Sequence, residues 1–103
     1  MAANAFNDWV EGDVAIEVIG KMIAEQTGQL YTLLAEYREQ GHSMDSPLVQ
    51  RDERYGQHRA LIKQYRQEIQ AIYDGKDAAA VVEKANQVYA PHLLGQTNSL
   101  AIR

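Results

Sequence analysis

The chain has 103 residues, no cysteine and a formal net charge of −4, with 46% hydrophobic and 23% charged residues. This length allows one domain with a modest core, and the composition is that of a globular protein rather than a disordered one. The absence of cysteine excludes disulfides and thiolate chemistry, and no apolar run approaches the roughly 20 residues of a membrane span. The first residues lack the pattern of a secretory signal, so we expect a soluble, cytoplasmic protein.

We predict a first long helix over residues 8–40. Asp8 is placed to cap its first amides, and Glu11 follows three residues later as in a capping box. Gly41 can adopt the left-handed conformation that ends helices. Apolar positions in this helix alternate at spacings of three and four residues, as in helical hairpins and coiled coils. This first seam consists of Ile16, Ile19, Ile23, Gln26, Leu30, Leu33 and Tyr37.

A second helix is predicted over residues 47–74. Ser46 is its expected cap, Pro47 occupies its first helical position, and Gly75 ends it. The same alternation of three and four residues predicts that this helix packs along one side. The second seam consists of Tyr55, His58, Ile62, Tyr65, Ile69 and Ile72.

A third, shorter helix is predicted over residues 78–90, with Asp77 as its cap and Pro91 as the residue that interrupts it. Residues 91–103 form a tail, either an extra turn or a loosely held end. No strand-like alternation of useful length is present. We therefore predict a single all-α domain over residues 1–103, built as a long antiparallel helical hairpin with a shorter third helix and assembled as a dimeric bundle.

Gly20 and Gly28 are unexpected, because glycine in a helix interior costs roughly 1 kcal/mol relative to alanine. At about 100° per residue they lie away from the first seam, in a sector of small or amphipathic residues. A row of small residues allows close approach of another helix, which a second copy of the chain would supply. In competing interpretations the third helix covers this sector, or the glycines are exposed or mark a kink. The predicted interface, called here the small-residue surface, consists of Gly20, Ala24, Gly28, Tyr31 and Ala35.

Charge differs between the two long helices. Residues 1–45 carry eight acidic and two basic side chains, whereas residues 46–73 are mildly basic. This balance indicates two helices that face each other. Alternatively, the basic residues contact an external anion such as nucleic acid, although the sequence pI near 5.2 argues against this. The candidate anion contacts are Arg59, Lys63 and Arg66, on one flank of the second seam.

No motif in the chain indicates a reaction. Phosphate-binding glycine loops and nucleophile motifs are absent, and the three histidines lack metal-ligand spacing. We interpret His58 as a hydrogen-bonded histidine at the edge of the core. The sequence therefore predicts no enzyme, no cofactor and no metal site.

A binding function remains. The six tyrosines are many for a chain of 103 residues, and tyrosine is enriched at interfaces. Long helices, a small-residue surface and an acidic character fit small helical proteins that act by covering a partner, such as inhibitors, immunity proteins, antitoxins and secretion chaperones. We expect a protein-binding module with another protein as partner, which also forms a homodimer. The alternative is a nucleic-acid-binding regulator that uses Arg59, Lys63 and Arg66.

Overall fold

The computed structural model describes the backbone of residues 2–95 and the side chains of residues 11–95. All regular structure in this part of the chain is helical, which confirms the all-α prediction. A π-helical segment and further helical residues at 90–95 follow the fourth helix without a break. The elements are α1 (Ala2–Glu39), α2 (Pro47–Gln50), α3 (Glu53–Asp74), α4 (Ala78–Lys84) and the π-helical segment (Ala85–Tyr89). α4, the π-helical segment and residues 90–95 correspond to the predicted third helix and are together called the third helix.

α1 is longer at its start than predicted and ends as predicted. It begins at Ala2, so Asp8 lies inside the helix and is not its cap. Residues 2–7 include three alanines and neither glycine nor proline, so nothing in the sequence ends the helix there. At the other end Gly41 has a φ of +88°, and its amide donates to the Arg38 carbonyl. This left-handed residue closes the last turn.

The helix predicted over residues 47–74 is divided into α2 and α3. Ser46 caps α2 as predicted, with its hydroxyl accepting a hydrogen bond from the amide of Leu48 at 3.3 Å. Asp52 then adopts an extended backbone and starts a new helix, because its carboxylate accepts a hydrogen bond from the amide of Arg54 at 2.8 Å. α3 ends as predicted at Gly75, which has a φ of +70°.

Asp52 also joins the start of α3 to the end of α1. The Tyr37 hydroxyl donates to its Oδ2 atom at 2.6 Å, and the Arg54 guanidinium donates to both carboxylate oxygens at 2.8 and 3.2 Å. The Arg54 and Tyr37 hydrogen bonds hold the pKa of the Asp52 carboxyl well below its ordinary value of 3.8. Conversely, the hydrogen bond to Asp52 raises the pKa of the Tyr37 hydroxyl. One carboxylate thus fixes a helix start and an interhelical contact.

Pro91 does not end the third helix, contrary to the prediction. Proline removes a backbone donor, and its ring crowds the carbonyl four residues earlier. Here the π-helical segment directly precedes it, with the Ala90 amide donating to the Ala85 carbonyl five residues back, and this wider turn accommodates the ring. Asp77 lies at the cap position of α4 as predicted, but it has a φ of +54° and its side chain makes no capping hydrogen bond. Residues 96–103 of the predicted tail lie outside the described residues.

The core consists of two apolar clusters along α1. The larger lies between α1, α3 and the third helix, and the smaller lies where α1, α2 and α3 meet. α1 and α3 pack antiparallel. Gly12 near the start of α1 lies against Ile72 near the end of α3, and Gln26 further along α1 lies against His58. The buried members are Ala15, Ile19, Met22, Tyr65, Ala85 and Tyr89 in the larger cluster, and Leu33, Val49 and Tyr55 in the smaller.

Asp52→Ala is expected to destabilise the protein at neutral pH, because it removes the α3 cap and the acceptor of the Tyr37 and Arg54 hydrogen bonds. Since the folded-state pKa of Asp52 lies below 3.8, its contribution is present above that pH and is lost as the pH falls toward the folded-state value. Denaturant unfolding should therefore show a difference between wild type and variant at pH 7 that shrinks below about pH 4.

The matched control is Asp45→Ala, which removes an exposed carboxylate in the loop before α2. We expect this control to unfold like the wild type at every pH tested. Equal stability of Asp52→Ala and wild type at pH 7 would contradict the role given to Asp52.

Candidate protein-binding surface

Two adjacent sides of α1 are covered within the chain. α3 packs along the first seam, where Ile19 and Leu33 are buried. The third helix packs on the neighbouring side, where Ala15 and Met22 contact the cluster that contains Ala85. These two contacts determine which part of α1 is left open.

A partly buried hydrogen bond fixes the contact between α1 and α3 at its middle. Gln26 is 8% exposed, and its Oε1 atom lies 2.8 Å from Nδ1 of His58. Because an amide oxygen can only accept, this arrangement assigns the proton to Nδ1. His58 is thus the hydrogen-bonded histidine that its place on the second seam predicted.

Two further carboxylates hold the third helix in place. Glu68 of α3 accepts hydrogen bonds from the Tyr89 hydroxyl at 2.8 Å and from the Lys84 ammonium at 2.9 Å. Beside Tyr89 and Glu68, the pKa of Lys84 lies above its ordinary value, and burial raises the pKa of Tyr89. Further along, His92 Nε2 lies 3.0 Å from the carboxylate of Glu25 on α1. These contacts could not be predicted from the sequence, because their partners are far apart in the chain.

The small-residue surface lies on the part of α1 that faces neither α3 nor the third helix. Ala24, Gly28 and Ala35 are exposed, Gly20 is half-buried and Tyr31 is 66% exposed. A Cβ atom placed on Gly20 or Gly28 would meet no neighbouring atom within 4 Å. The interpretation in which the third helix covers this sector is therefore wrong for the described residues, and nothing among them explains the glycines.

An apolar groove extends this surface beyond the end of α1. The left-handed Gly41 turns the chain back so that the following loop and the last turns of α1 enclose a volume of about 650 Å³. The contribution of the loop could not be predicted from the sequence, because helical periodicity does not report the path of a loop. The lining includes Tyr31, Leu34, Ala35, Arg38, His42 and Met44.

A larger cavity of about 810 Å³ lies between the first half of α1, the end of α3 and the start of the third helix. Its lining includes Ile16, Ile72 and Val82, and the exposed carboxylates of Glu11 and Glu83. An apolar wall with an acidic rim suits an apolar or basic ligand rather than an anion. This cavity was not predicted from the sequence.

The candidate anion contacts are exposed on α3. Arg59 donates from Nη1 to the Tyr55 hydroxyl at 3.3 Å and lies over the Tyr55 ring. Lys63 and Arg66 make no ion pair with any other side chain among residues 11–95. The expected pairing of these bases with acids of α1 is therefore not formed; Arg54 instead provides the contact, 4.0 Å from Glu36.

The described residues carry neither a metal-binding cluster nor a membrane-spanning helix. Residues 11–95 contain no group of three or more histidine, aspartate or glutamate side chains that could hold a metal ion. None of the described helices combines the length and apolar character needed to cross a lipid bilayer. Comparison of the chain with protein-family models, curated proteins and solved structures finds no match. Function is therefore inferred from the geometry of this chain alone.

His58→Ala is expected to lower the free energy of unfolding by about 1–3 kcal/mol, because it leaves the buried amide of Gln26 without its partner. The matched control is Gln57→Ala, which truncates the adjacent exposed side chain on α3 and should change stability little. Urea denaturation of the three proteins measures the difference. Equal losses in both variants would show that the Gln26–His58 hydrogen bond does not fix the interhelical contact.

Proposed function

We propose that this protein is a helical protein-binding module that covers a partner protein with the small-residue surface of α1. One observation carries the proposal: Gly20 and Gly28 each have open space where a side chain would be. Each glycine costs roughly 1 kcal/mol of helix stability, and no neighbour among the described residues requires it. Such residues become favourable once another helix approaches closely enough to contact the bare backbone.

The groove at the end of this surface supports the same proposal. Exposed tyrosine and methionine side chains adjoining small residues provide anchors and adaptable contacts for a partner. Tyr31 belongs to both the small-residue surface and the groove, and Met44 is 58% exposed on the far wall. A partner helix on α1 would therefore bury apolar side chains as well as backbone.

The proposed architecture is a long antiparallel helical hairpin that uses one side for its own core and the other for a partner. This arrangement fits a cytoplasmic inhibitor, immunity protein, antitoxin or secretion chaperone, which all act by covering another protein. Binding rather than catalysis is proposed, because the described polar clusters at Asp52 and Glu68 are used to join helices. No cofactor is needed for this activity.

Gly28→Leu tests the proposal against a matched control, Gly56→Leu. Both glycines lie on exposed helix faces with open space at the Cβ position, so leucine should raise helix stability in either isolated chain. Only Gly28 lies in the proposed interface, where leucine would overpack the contact. Affinity capture from the native host followed by mass spectrometry should therefore lose a specific partner with Gly28→Leu and retain it with Gly56→Leu.

If both variants capture the same proteins as the wild type, the small-residue surface is not the binding surface. If partner capture is unchanged and both leucine variants are more stable than the wild type, Gly28 is an ordinary exposed glycine.

A second candidate function is supported by the exposed bases of α3. Lys63 and Arg66 have no ion-pair partner among residues 11–95, so both charges remain accessible to an external anion such as nucleic acid. This function predicts binding of DNA or RNA by the pure protein that weakens with added salt. It also predicts loss of binding after charge reversal at Arg59, Lys63 and Arg66. Gel-shift titration at low and high salt distinguishes it from the proposed protein-binding function.

A further inference from the structure

We infer that the small-residue surface binds α1 of a second copy of this chain, packed antiparallel about a two-fold axis that passes between Thr27 and Gly28. The inference rests on the proposed function, because it names an occupant of the same surface. It follows from the order of the residues along the exposed side of α1. When a second copy is placed antiparallel to the first, the side chains on this side of the two helices complement each other in size and charge.

The reversed order places a small residue opposite the large Tyr31 and brings no two large residues of this surface together. With the axis between Thr27 and Gly28, Gly20 lies opposite Ala35 of the second copy, and Ala24 lies opposite Tyr31 of the second copy. Tyr31 is 66% exposed in the single chain, and alanine leaves room for its ring. Each pair occurs twice by symmetry, as in other isologous interfaces.

Charge at the two ends of the surface favours the same pairing. Glu17 precedes the surface and Arg38 follows it, and both side chains are exposed on this side of α1. Glu17 is only 3.9 Å from Lys21, in a solvent-exposed pair, and Arg38 has no ion-pair partner among residues 11–95. In the antiparallel register Glu17 of each copy meets Arg38 of the other. A parallel pairing would instead place like charges opposite each other at both ends.

The remaining elements leave room for this contact. The surface faces away from α3 and the third helix, so the rest of each copy would extend outward from the paired helices. With glycine or alanine at the facing positions, helix axes can approach to about 8 Å. The second copy therefore covers a surface that the described parts of one chain leave bare.

Single cysteines test the register directly, because the chain contains no cysteine of its own. Gly28→Cys places two thiols next to the two-fold axis, within the roughly 3.5–4.5 Å Cβ separation of a disulfide. Ala24→Cys is the matched control, since the two positions would lie seven residues apart along the axis, about 10 Å. After oxidation of the folded proteins, we expect covalent dimer from Gly28→Cys and at least tenfold less from Ala24→Cys. Mixing Ala24→Cys with Tyr31→Cys should restore cross-linking.

Charge substitution gives a second measurement that needs no disulfide. Arg38→Glu places Glu opposite Glu17 and should weaken dimerisation by roughly three- to tenfold. Adding Glu17→Arg to the same chain should restore it. Light scattering of the wild type should report a mass near twice 11.6 kDa.

A monomer at high micromolar concentration would overturn the inference, as would equal cross-linking of Gly28→Cys and Ala24→Cys. Stronger cross-linking from Ala24→Cys than from Gly28→Cys would overturn the stated register. If the protein is a monomer but Gly28→Leu still loses a captured partner, the proposed function stands and only the second copy is excluded. If the protein is a dimer whose assembly does not depend on Gly28, the inference fails, and the proposed function is then decided by partner capture with Gly28→Leu.

Discussion

The contact between α1 and α3 positions every other described element of the molecule. Apolar residues at spacings of three and four residues on both helices form a continuous line of contact, and the Gln26–His58 hydrogen bond lies within it. A shift of one helix along the other would leave a buried amide unpaired and break the Tyr37–Asp52 hydrogen bond as well. The register of the two helices is therefore set by polar groups, while apolar burial supplies most of the favourable free energy.

This register determines what the shorter elements can do. The third helix packs beside α3 on α1 because Glu68 and Glu25 are presented where Tyr89, Lys84 and His92 reach them. Both contacts lie on one half of the α1 circumference, so its opposite side receives nothing from the described part of the chain. Over residues 11–39, only one half of α1 is covered by the described part of the chain, which leaves a surface available for another molecule. The glycines of the small-residue surface lie within that surface.

Helix existence and the buried sides of the long helices could be predicted from the sequence, because periodicity reports directly on which side of a helix is apolar. Gly41, Gly75 and Ser46 also end or start helices as their chemistry predicts. The division at Asp52 was missed although the local pattern, an acidic residue two positions before Arg54, is a helix start signal. The Ser46–Pro47 start signal shortly before it hid this break, because that signal alone predicts one continuous helix up to Gly75. The passage of a helix through Pro91 could not be predicted, because it depends on a π-helical turn before the proline, a rare conformation that apolar periodicity does not report.

For the binding surface, the sequence identified the small residues but not the groove beside them. Gly20 and Gly28 stand out because of their conformational cost, whereas Met44 and His42 join the surface only through the path of the loop. Arg54 of α3 contacts Glu36 of α1, whereas the candidate anion contacts Lys63 and Arg66 do not pair with acids of α1, for a related reason. Charge balance over a segment does not say which way each side chain points, and Lys63 and Arg66 point to solvent.

Hydroxyl-radical footprinting of Tyr31 and Tyr73 tests most directly whether α1 is an interface. The two side chains are 66% and 71% exposed in the single chain, so their oxidation rates should be similar in dilute solution. At high protein concentration or in extract of the native host, the account predicts a several-fold fall in the oxidation of Tyr31 while Tyr73 is unchanged. A ratio of the two rates that stays constant under all of these conditions would contradict it.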